Sequence, residues 1–109
     1  MSVDGTWHLV INTPIGRQHA VLELSTKDGV LRGVARDARH GEQVGLTDVV
    51  LAGDRLTWAQ SITKPMRLNL TFDVTVDGDE LAGTSRAGRL PRSTVTGHRV
   101  GPDSPATGP

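Results

Sequence analysis

Few side chains in this chain could carry chemistry. Asp37 and His40 stand three residues apart in a polar stretch, near enough to share a proton as an acid–base pair. In an apolar setting the Asp37 carboxyl would titrate upward, as a general acid or base requires. A carboxylate that caps its own loop or pairs with Arg39 would serve structure alone. Asp48 carries the same promise only if its strand turns it inward, because a carboxylate in mid-core needs a partner or a task. Arg86, Arg89 and Arg92 cluster in one polar stretch, where they could draw a carboxylate or phosphate or simply stay solvated. His8, His19, His40 and His98 follow no metal-ligand spacing. With no cysteine there is no thiolate nucleophile, thiolate metal site or disulfide. No metal and no cofactor is expected.

Strands must position these groups. Over residues 66–76 apolar and polar side chains alternate without a miss, the period-2 mark of a strand with one buried face. Met66, Leu68, Leu70, Phe72, Val74 and Val76 face one way; Arg67, Asn69, Thr71, Asp73 and Thr75 face the other. A slip of one residue would bury Arg67 and Asp73, so this strand pins its own register. Shorter alternations predict strands over about 5–12, 17–25, 31–36, 44–51, 56–60, 81–85 and 95–99. Their inward residues include Trp7, Leu9, Ile11, Ala20, Leu22, Leu24, Leu56, Trp58 and Leu81. The facing of 44–51 stays open: either Leu46, Asp48 and Val50 point inward, or Thr47, Val49 and Leu51 do. No segment has a helical period.

About eight half-apolar strands joined by short turns predict an all-β fold, an antiparallel up-and-down β-barrel, because closure removes exposed edges. A two-sheet β-sandwich is the alternative, but its Greek-key crossovers need longer connections. Alternate connections fall into two sets. Asp28-Gly29, Gly53-Asp54 and Asp77-Gly78-Asp79 are tight turns at one end. At the other end lie Pro14, the polar stretch 38–43, Pro65 and Pro91, and this set should form a mouth. Trp7 would then start the first strand at the closed end, with Arg99 beside it for a guanidinium–indole stack.

Gly5-Thr6-Trp7 opening the first strand, with Arg99 late in the last, resembles the calycin barrels: lipocalins, fatty-acid-binding proteins and avidins. The segments Asp28-Gly29-Val30-Leu31-Arg32-Gly33 and Leu56-Thr57-Trp58-Ala59-Gln60 look more avidin-like than lipocalin-like. The likeness spans about Gly5 to Arg99 and rests on short motifs. It implies the barrel and a habit of holding small ligands. The chain departs from avidins in having no tyrosine and apolar residues where polar first-strand groups hold biotin's ureido ring, which speaks against biotin. It departs from lipocalins in lacking their disulfide.

At 109 residues the chain should form one domain over 1–100, followed by a Gly/Pro/Ser-rich tail over 101–109 expected to be disordered. Zero formal net charge and only three aromatics argue against a nucleic-acid or membrane-surface binder. No spanning apolar run or signal pattern is present, so a cytoplasmic protein is expected. Outward Val10, Val21 and Val34 on three adjacent strands could form an apolar stripe for a homodimer.

The inward residues toward the mouth make an apolar cup with a few convergent polar groups, the composition of a small-molecule site. Ile11, Gln18, Trp58, Gln60, Met66, Leu68, Leu70 and Ser85 are its expected lining. Inward Gly33, Gly83, Gly97 and Ala20 should leave room inside. The leading expectation is a carrier or sensor of a small, largely apolar ligand. An isomerase or cyclase using Asp37 or Asp48 is the second, and a structural or dimerisation module with a filled core is the third.

Overall fold

The computed structural model describes residues 3–14, 16–37, 43–62, 68–88 and 90–100. Met66, His40, Arg39, Arg89, Pro65 and the tail 101–109 lie outside the described residues, as do the expectations that rest on them. Nine antiparallel strands run in chain order: β1 (Gly5–Thr13), β2 (Gly16–Lys27), β3 (Val30–Asp37), β4 (Gln43–Gly45), β5 (Thr47–Ala52), β6 (Arg55–Ile62), β7 (Leu68–Asp77), β8 (Glu80–Ala87) and β9 (Ser93–Arg99). They form one sheet in the order β4-β3-β2-β1-β9-β8-β7-β6-β5. The fold is the expected all-β, up-and-down barrel, nearly closed, and not a sandwich.

The ninth strand is a correction to the expected eight. The segment expected as one strand over 44–51 breaks at Leu46 into β4, paired to β3, and β5, paired to β6. The two margins of the sheet are therefore consecutive pieces of chain, and they close the barrel by dividing its pairing between two neighbours. Leu46 keeps one tie to β3, donating its N–H to the Gly33 carbonyl at 2.9 Å. The break also resolves the open facing, since each alternative holds in one half. Leu46 packs inward, Asp48 adopts a left-handed φ of 53°, and Val49 and Leu51 then pack inward in its wake. The ladder to β6 shifts register between Thr47 and Val50, the behaviour of a bulge that inserts one extra residue. Aspartate tolerates that backbone region better than most side chains.

Tight turns set the closed end. Asp28 and Gly29 both take positive φ (54° and 78°), as a two-residue type I′ hairpin demands. Gly53 and Gly78 each take positive φ at the first of two turn residues. The alternation of 68–77 is realised as read: Phe72, Val74 and Val76 are buried while Thr71 and Thr75 are exposed. Pairing puts Trp58 against Phe72, Leu56 against Val74 and Val76 against Leu81, so one apolar face runs round the barrel.

The inward glycines do not leave room. A Cβ at Gly97 would meet Leu9 Cδ2 at 2.6 Å, and one at Gly83 would meet the Asp73 carbonyl at 2.1 Å. Neighbouring side chains and backbone already fill the space that the missing side chains vacate. Eight or nine strands enclose little volume, and glycine here permits close approach rather than a void.

Candidate functional site

The barrel interior changes character along its axis. At the closed end Val3, Trp7, Leu24, Leu56, Val76 and Leu81 are all buried. Trp7, wholly buried, donates its indole N–H to the Val3 carbonyl at 2.9 Å. Arg99, directly opposite Trp7 in the β1–β9 ladder, lays its guanidinium over the indole with 4.6 Å from Cζ to the ring centroid. Its N–H groups then bind the Asp79 carboxylate at 2.8 Å, the Asp4 carbonyl at 2.6 Å and the Gly78 carbonyl at 3.0 Å. One planar cation thus ties the N-terminal segment, the β7–β8 turn and the floor tryptophan together, a task suited to a rigid fork of donors. Asp4 extends the seal, its carboxylate accepting from the Thr26 N–H (3.0 Å) and hydroxyl (2.7 Å).

Among the described residues the opposite end carries no such clamp. Ile11, Ala20, Asp37, Gln60, Leu70 and Ala87 continue the inward face but remain half-buried, and Gln18 is exposed. The ladders place them round one rim: Ile11 opposite Gln18, Ala20 opposite Asp37, Gln60 opposite Leu70, and Leu70 opposite Ala87. Ser85, opposite Phe72 and Ser93, is buried just below. Leu68 falls in β7 opposite Ile62, so its backbone belongs to the same end. Trp58 lies one layer down and is only 2% exposed, stacked on Phe72 with ring centroids 4.7 Å apart and planes at 7°. Its indole N–H donates to Gln60 Oε1 at 3.0 Å, which fixes the Gln60 side chain at the rim. The structure therefore brings Trp58, Gln60, Leu70 and Ser85 together on one wall, with Ile11 and Gln18 on another.

The two carboxylates part company. Asp37 ends β3 on the inward face, half-buried, and it is engaged with a neighbouring group. Asp48 stands exposed on the bulge instead of inside the barrel, so the facing that would have made it a mid-core carboxylate is not adopted. Among the described residues no group of three or more His, Asp or Glu side chains is arranged to hold a metal ion. Val10, Val21 and Val34 do lie on the outer face of β1, β2 and β3, half-buried, but they alternate with polar groups. Val10 is opposite His19, Val21 is opposite Arg36, and Val34 is opposite Glu23.

A second feature lies away from the expected lining. Where the closing segment leaves β3 for β6, an open groove of about 810 Å³ runs along the seam, floored by Leu24, Leu31, Gly33, Leu46 and Val49. Val30 and Val50, 49% and 53% exposed, flank it. Its trace in the sequence is the unresolved facing of 44–51, because a segment that fits neither alternation is one that changes partners. Among the described residues no helix is long and apolar enough to cross a membrane. No protein-family model, curated protein or solved structure matches the chain.

Proposed function

We propose that the protein binds a small, largely apolar ligand in the cup at the open end of the barrel. One observation carries this reading. Inward-facing side chains are buried at the closed end yet remain accessible at the other, where apolar walls meet Gln18, Gln60 and Ser85. A continuous apolar face that stops short of packing, with a few polar groups at its margin, is the usual make-up of a small-molecule site. The filled layers around Leu9, Trp58 and Val74 support a shallow cup rather than a deep calyx. The barrel form is compatible with the calycin-like habit that Trp7 and Arg99 suggest, and the ligand reading goes no further than that likeness and the cup. A catalytic variant of this reading would rest on Asp37, the carboxylate on the inward face at the rim.

Titration with the apolar fluorophore anilinonaphthalene sulfonate, followed by tryptophan emission, tests the proposal. Saturable one-to-one binding should change the emission of Trp58, which adjoins the cup, and Trp58→Phe should remove that change while Trp7→Phe keeps it. Absence of saturable binding would leave the protein a filled structural module. A signal that survives Trp58→Phe would move the site elsewhere.

A further inference from the structure

Three of the four histidines meet on the outer face of the sheet. His8 is directly opposite His98 in the β1–β9 ladder, their ring centroids 5.6 Å apart in an edge-to-face arrangement. His19, diagonal to His8 across the β1–β2 ladder, stacks on it with centroids 5.5 Å apart. His8 is the middle ring of the row and is half-buried, while His19 and His98 are exposed. The row also backs onto the floor clamp. In the β1–β9 ladder the pair His8–His98 is adjacent to the pair Trp7–Arg99, one on each side of the same sheet.

From this geometry we infer that the imidazole row is an acid-sensitive latch, holding the β9–β1–β2 staves behind the Trp7–Arg99 clamp when neutral and loosening them when protonated. Neutral rings stack at these distances. Cationic rings directly opposite one another repel, and Arg99 behind them is already paired with Asp79 and does not relieve this. The charged groups around the row do not cancel this at its centre. Glu80 on β8 is opposite His98, and Arg17 on β2 lies beyond His19. Glu23, on the other diagonal from His8, faces Arg36 at 3.7 Å. β1 itself offers only Thr6, Val10 and Asn12 on that face.

Burial, and then the proximity of His98 and His19, hold the His8 imidazole below its ordinary 6.5. The sign follows by linkage. The unfolded chain takes up a proton at His8 before the folded chain does, so this contribution to stability is whole above 6.5 and is lost as pH falls below it, down to the lowered folded value.

Urea unfolding of the full chain at pH 7.5 and 5.5 tests the latch. The wild-type midpoint should drop by roughly half a molar between the two. His8→Gln should flatten the drop, His98→Gln should reduce it, and His40→Gln should leave it as in wild type. A drop that persists in the His8→Gln/His98→Gln double variant, or a wild-type midpoint that does not move, overturns the inference. Should either variant fail to fold, an NMR titration of the wild-type imidazoles decides. His8 titrating below 6.5, with the protection of the Trp7 indole proton falling in step, supports the latch; His8 titrating at or above 6.5, or an unchanged Trp7 proton, overturns it.

Discussion

The two ends of the barrel are built from the same alternating strands, yet among the described residues the inward side chains are buried at one and half-buried at the other. At the closed end β1, β2, β6, β7 and β8 bring the buried Trp7, Leu24, Leu56, Val76 and Leu81, and the turns are two residues long. Trp7 then donates to the Val3 carbonyl, and Arg99 donates to the carbonyls of Asp4 and Gly78. At the other end the described inward positions carry Ile11, Ala20, Gln60, Leu70 and Ala87, all half-buried. The difference teaches that sealing a small barrel depends less on hydrophobicity than on a plug. Here the plug is one large buried ring and one cation that lies over it and binds two carbonyls.

The sharpest way to break the comparison is a matched pair of truncations. Trp7→Ala should cost about 3–5 kcal/mol, since it removes a fully buried ring and orphans the Val3 carbonyl. Leu70→Ala, at a half-buried position on the open rim, should cost only about 1 kcal/mol. Urea denaturation measures both, and equal losses would mean that the rim is packed as tightly as the floor. A smaller effect is expected from Arg99→Lys, at about 1–3 kcal/mol, because a lysine keeps the charge but not the fork that reaches Asp79, Asp4 and Gly78 together. A loss confined to the ring contact would instead leave Arg99→Lys close to wild type.

The smallest effect belongs to the outer surface. Arg55 holds Asp73 through two bonds, of 2.9 and 2.5 Å, and the carboxyl titrates below its ordinary 3.8 chiefly because of that hydrogen-bonded pair. A carboxylate depressed in the folded chain contributes fully above 3.8 and loses the contribution as pH falls through its lowered value. Asp73→Asn should therefore change thermal stability slightly at pH 7 and less at pH 2. A larger change at pH 2 than at pH 7 would reverse that sign.

Much of this was legible in the chain itself. The unbroken alternation ending at Val76 identified its strand, its buried face and its direction toward the floor, because burying Arg67 or Asp73 would be too costly for any other register. The tight turns at Asp28-Gly29, Gly53 and Gly78 marked the closed end through their need for positive φ. The pairing of Trp7 with Arg99 followed from up-and-down order, which brings the first and last strands together. The proposed cup was legible only as a set of inward positions, and the room inside the barrel was misread at the glycines. Whether a missing side chain leaves a void depends on neighbours such as Leu9 that lie far away in sequence.

Outside 44–51 the sequence by itself determined strand identity and facing, and the tight turns at one end, because these follow from local period and turn chemistry. Only the tertiary structure decided how the barrel closes. The bulge at Asp48 and the seam beside it arise because one segment must satisfy two neighbours, β3 and β6, that diverge. The imidazole row has the same origin. His8 and His98 sit toward opposite ends of the chain, and no local pattern places them ring to ring; the register of the β1–β9 ladder does.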